Sequence, residues 1–180
     1  MTGGLVREPV QILAVLAAGA LLTVFGALEA ADAAHARATI SAWPMLILGG
    51  VAVARLIRLG TPVEGTGWLG WWAGGLAAYL WHLWFGFGAV YGFDMAAVRD
   101  GQGTLTAAAN ALLLILWALS LAAACLPSEP PAESALHVAA SLLFAVTALV
   151  STLGFAAHPA SVMIGAGLVV LWLHALWRRL

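Results

Sequence analysis

Residues 65–93 read GTGWLGWWAGGLAAYLWHLWFGFGAVYGF and contain no charged side chain. A helix needs about 20 residues to cross the hydrocarbon core of a bilayer. This run is long enough, so it is read as a membrane-spanning helix. Near its centre, Trp81, His82 and Trp84 set one ionisable imidazole between two indoles. An ionisable group inside a membrane is costly to bury, which makes His82 a candidate functional residue.

Working outward, the other uncharged stretches are Pro9–Leu28, Ala38–Ala54, Gly101–Ser128 and Ser134–Trp177. The last could hold two crossings, and Gly154-Phe-Ala-Ala-His-Pro159 is the natural break, because proline cannot continue a helix and disfavours helical backbone before it. The pattern predicts one all-α integral membrane domain over 1–180, a polytopic bundle of about six spans at 9–31, 40–58, 67–93, 104–126, 134–155 and 160–177. Composition agrees: 63% of residues are hydrophobic, 8% are charged, and mean hydropathy is +1.01. An A-x-A pattern around Ala31–Ala38 gives the N-terminal segment the outline of a secretory signal. Arg7-Glu8 supplies no net positive charge and the apolar run is long for a signal, so it is read as a retained span.

Six spans put Arg7, Arg55, Arg58, Arg178 and Arg179 on one side and only Arg37 and Arg99 on the other. The positive-inside rule then places both termini in the cytoplasm, with a bacterial inner membrane as the expected location. Trp43, Trp68, Trp71, Trp72, Trp172 and Trp177 fall near span ends, where indoles favour the headgroup layer. The partners implied are the lipid bilayer and either other membrane subunits or further copies of the chain. Lysine is absent and the seven basic residues are dispersed, which argues against nucleic-acid binding. The single cysteine, Cys125, is read as an apolar filler.

Membrane helices associate through close packing and occasional polar contacts. Small residues mark candidate contact faces: Ala14, Ala18, Gly19, Gly26, Ala27 and Ala30 on the first span, Gly49 and Gly50 on the second, and Gly70/Gly74 and Gly88/Gly92 on the third. The third helix is therefore expected to be central. At 100° per residue, Trp71, Gly75, Ala78, Tyr79, Phe85, Gly86, Ala89 and Phe93 share a broad face with His82. Trp81 and Trp84 flank it, and Trp117 of the fourth span could complete an aromatic wall. This face could grip another helix through a hydrogen bond from His82 to a carbonyl or hydroxyl, or it could cradle an apolar ligand.

Haem ligation requires histidines matched in depth. His137 and His174 could meet near the cytoplasmic surface, but are read as solvated interfacial residues close to Glu129, Glu133 and Arg178. At the outer surface Glu29, Asp32, His35, Asp94 and His158 form a second candidate, a polar cluster suited to ion or solute entry or to a divalent metal of open identity. Glu29 is placed just inside the hydrocarbon boundary, where it would titrate abnormally. A solvated rim of helix ends is the simpler account.

No G-x-S-x-G, H-E-x-x-H or phosphate loop occurs, so no catalytic residue is assigned. Ser134, three residues before His137, is read as a helix cap. The function expected is that of a non-catalytic integral membrane subunit of a larger complex, without a cofactor. The alternatives are a small-solute transporter or channel with a midplane aromatic pocket, and a redox subunit binding haem or quinone.

Overall fold

The computed structural model describes residues 7–60, 67–125, 130–155 and 158–180, with only the backbone of Arg7 and of 130–134. Every regular element among them is helical: α1 Arg7–Phe25, α2 Ala33–Leu59, α3 Trp68–Leu83, α4 Met95–Gln102, α5 Thr104–Cys125, α6 Pro130–Leu149 and α7 Pro159–Trp177. Two of them widen into π-helix before stopping, α3 at Trp84–Val90 and α6 at Val150–Gly154.

Five helices are long and apolar enough to cross a membrane: Glu8–Phe25, Ala33–Leu59, Thr104–Cys125, Ala135–Gly154 and Pro159–Trp177. α3 alone has 16 residues, about 24 Å of α-helix, which falls short of the roughly 30 Å hydrocarbon core. Its π-helical continuation adds seven residues.

Element limits differ from the expected spans where polar groups act locally. α1 stops at Phe25 and α2 begins at Ala33, before the uncharged stretch starts, because the Asp32 carboxylate accepts the His35 backbone N–H at 3.0 Å and caps the helix. α4 was not expected as an element. It starts where Asp94 accepts the Ala96 N–H at 2.7 Å. The proposed cap Ser134 lies outside the described side chains.

α2 is the hub, packing against α1, α3, α6 and α7. Of its most apolar stretch 67% is buried, against 11% for α1. Lipid supplies no hydrophobic drive between helices, so close approach depends on small residues. A methyl group on Gly75 of α3 would lie 2.7 Å from the Trp117 ring and 3.1 Å from the Gly49 backbone nitrogen of α2. One on Gly49 would lie 2.5 Å from the Phe144 ring of α6. Gly70 and Gly74 face Ile12 of α1, whereas the atoms nearest a methyl on Gly88 belong to Phe93 of its own turn. The first G-x-x-x-G is thus a helix contact and the second is a turn.

The two ends of the bundle close differently. At the end bearing both termini, Gly60 adopts φ 77° and returns its N–H to the Leu56 carbonyl at 2.8 Å, and Arg55 of α2 pairs with Glu8 of α1 at 2.8 Å while lying over Trp71 of α3. At the opposite, distal end, Gly92 and Phe93 take φ 60° and 61° in succession. The Phe93 N–H reaches the Phe87 carbonyl at 3.0 Å, ending the π-helix and turning the chain into α4.

The indoles expected in the headgroup layer are mostly interior. Trp72, Trp68, Trp71 and Trp172 are 0%, 2%, 6% and 8% exposed, while Trp177 is exposed and Trp43 half-buried. Trp72 and Trp172 are held inside by donating their N–H groups across helices, Trp172 to the Gly50 carbonyl at 2.9 Å.

Candidate functional site

His82 sits on the last turn of α3, directly before the π-helix. Its Nδ1 lies 2.9 Å from the Ala38 carbonyl and 3.3 Å from the Ser41 hydroxyl of α2, and Ser41 Oγ itself donates to the Ala38 carbonyl at 3.0 Å. The interhelical contact anticipated for this imidazole is present. Ala38 and Ser41 belong to the first turns of α2, so His82 meets α2 toward the distal end of the bundle.

The flanking indoles do not share the contact with α2. Trp81 and Trp84 are 42% and 61% exposed, pairing edge-on with Phe85 and Phe93. Trp81 also borders a shallow apolar cleft of about 220 Å³ between α1, α2 and α3, lined by Leu16, Ala20, Pro44, Ala77 and Ala78. α3 therefore has two unlike sides. One is tied to its neighbours and the other faces outward.

Behind His82 runs a column of rings. Tyr79 stacks on His82 with centroids 6.3 Å apart, Trp117 on Tyr79 at 5.9 Å, Trp72 on Trp117 at 4.3 Å, and Trp68 on Trp72 at 5.8 Å. Of the residues expected around His82, Tyr79 and Trp117 lie in this column. Trp71 stands apart from it, against Arg55. Hydrogen bonds lock the column. Trp117 Nε1–H donates to the Trp72 carbonyl at 3.1 Å, and the Tyr79 hydroxyl donates to the Asn110 carbonyl at 2.9 Å.

The column ends on the residue the sequence misplaced. His137 is fully buried rather than solvated, with its ring edge-on to Trp68 at 5.0 Å and Nδ1 2.7 Å from Ser120 Oγ. Trp72 Nε1–H donates to the same Ser120 oxygen at 3.1 Å. That leaves the serine proton free to point at the imidazole, so one hydroxyl joins α3, α5 and α6. His174, its expected companion, is exposed beside Trp177. The signal for Ser120 was available: a hydroxyl in an apolar span must find a partner, and Trp72 and His137 are among the few side chains able to supply one.

The distal polar residues are mostly helix starts. Asp32, Asp94 and His158 cap α2, α4 and α7, the last by accepting the Ala160 N–H at 3.2 Å. Asp32 also pairs with His35 at 2.6 Å, both side chains exposed. The backbone N–H and ring of His35 hold the Asp32 carboxyl below the ordinary aspartate range. His158 lies 5.3 Å from the Trp43 ring, and Glu29 is exposed in the turn after α1. Among the described residues no three His, Cys, Asp or Glu side chains gather as a metal centre.

Compared with known proteins, the chain matches no family model, no curated protein and no solved structure.

Proposed function

We propose that the chain is a six-span protein of a bacterial cytoplasmic membrane, with both termini inside, acting as a non-catalytic subunit of a larger membrane complex. The sixth crossing in this reading is α3 extended by its π-helix. The arginine bias sets the orientation: Arg55, Arg58, Arg178 and Arg179 lie at or near the end with the termini, and Arg179 there donates to the Ile57 carbonyl at 3.3 Å.

One observation carries the subunit reading, the division of labour on α3. Inward, His82, Tyr79 and Trp72 hydrogen-bond neighbouring helices, which is scaffold chemistry. Outward, Leu80, Trp81 and Trp84 stay exposed beside an apolar cleft, where a partner helix could bury them. A carrier with a central aromatic pocket finds less support, since Trp117 and Tyr79 are packed into the column and Trp71 lies under Arg55.

Native mass spectrometry of protein extracted in mild detergent tests the proposal. It should show a stoichiometric partner subunit or a homo-oligomer, and Trp81→Ala with Trp84→Ala should release it without lowering the melting temperature. A stable, partner-free monomer under these conditions would rule the reading out.

A further inference from the structure

The His82 ring has a second nitrogen that the scaffold does not use. Donation from Nδ1 to the Ala38 carbonyl selects one tautomer of the neutral imidazole, the one in which Nε2 keeps its lone pair. No hydrogen-bond partner for Nε2 occurs among the described residues. Nor is it sealed in. The buried side-chain nitrogens and oxygens without partners are Trp68 Nε1, Trp71 Nε1 and Ser141 Oγ, and His82 is only half-buried. The ring tip lies beside Gly86, where an added Cβ would find nothing nearer than His82 Cε1 at 3.8 Å and Nε2 at 3.9 Å. A small open space therefore adjoins an acceptor that is oriented from behind. It lies against the π-helix, a feature often found at functional sites because it breaks the regular α-helical register.

We infer that His82 Nε2 and the open space over Gly86 form a binding site for the hydroxyl of a membrane-dissolved amphiphile, for which a hydroquinone serves as the probe. Two features set this class. Nε2 can only accept, so the ligand must donate. In the proposed six-span reading the site lies within an apolar crossing, so the ligand must dissolve in lipid. The site rests on the proposed crossing of α3 but not on the subunit reading, because it belongs to a single chain.

The test uses the full-length protein, labelled with ¹⁵N-histidine, in lipid nanodiscs. His82 should show a protonated Nδ1 and a bare Nε2. Titration with a short-tailed hydroquinone under reducing conditions should move the Nε2 resonance. The oxidised quinone and the dimethyl ether with the same tail, which cannot donate, should leave it in place. Gly86→Val fills the space without touching the Ala38 bond and should weaken hydroquinone binding roughly tenfold or more, about the worth of one hydrogen bond. His82→Gln should weaken it comparably. Should that variant fail to fold, Gly86→Val alone decides. A proton on Nε2, an equal response to quinone or ether, no response to hydroquinone, or unchanged binding in Gly86→Val would each overturn the site.

Discussion

At the residue scale, the bundle rests on hydroxyls and glycines more than on the ionisable groups that first draw the eye. Ser120 is the clearest case, since its one oxygen serves both Trp72 and His137. Ser120→Ala takes a bond from each, and in lipid the lost partner cannot be replaced by water. A loss of about 1–2 kcal/mol in unfolding free energy is expected, measured by denaturant titration in detergent. Unchanged stability would mean the network is incidental. The glycines offer a sharper contrast. Gly75→Ala forces a methyl against Trp117 and the α2 backbone and should destabilise by about 1–3 kcal/mol. Gly167→Ala on α7 meets nothing within 4 Å and should be neutral or stabilising by up to about 1 kcal/mol, because alanine favours the helix. Parallel thermal melts decide, and equal shifts for the two variants would refute the packing described for the α2–α3 seam.

At the element scale, the informative events are where helices begin. Asp32, Asp94 and His158 look like a ligand cluster in one dimension because caps recur wherever the chain enters a helix from the same end of the bundle. The Asp32 cap also has a pH signature. Its carboxyl is held below the ordinary value of 3.8 by the His35 N–H and ring. A depressed folded value means the cap's contribution is complete above the ordinary aspartate range and is lost as pH falls through the lowered value. The first turn of α2 should therefore fray only in strong acid, seen as a shift of the His35 amide resonance. Asp32→Asn keeps an acceptor for that N–H and should remove the acid step while leaving the turn formed. Persistence of the same step in the variant would assign it to another group. The π-helices have no comparable sequence signal, since a period change of a fraction of a residue is invisible in a segment where nearly every residue is apolar.

For the whole molecule, the sequence carried the helical class and the approximate places of the five helices long and apolar enough to cross a membrane, because charge and proline punctuate apolar runs. Depth and neighbours were less legible. His137 follows closely on Glu129 and Glu133, so one-dimensional reading put it in water. Only the three-helix junction at Ser120 brings it inside. Trp72 and Trp172 were assigned to the headgroup layer by their position near span ends, but their N–H groups find acceptors on other helices. The remaining question at this scale is whether α3 with its π-helical extension crosses, and the chain's one cysteine makes that testable. Cys125 is exposed at the terminus-bearing end of α5. In intact spheroplasts it should resist a membrane-impermeant maleimide, and it should react in inverted vesicles. On a Cys125→Ser background, Leu59→Cys at the end of α2 should behave as Cys125 does, and Asp100→Cys on α4 should show the opposite pattern. Leu59 and Asp100 are separated only by α3 and its extension, so labelling of both from one side would mean α3 does not cross. Reversal of all three patterns would keep six spans and invert the orientation drawn from the arginines.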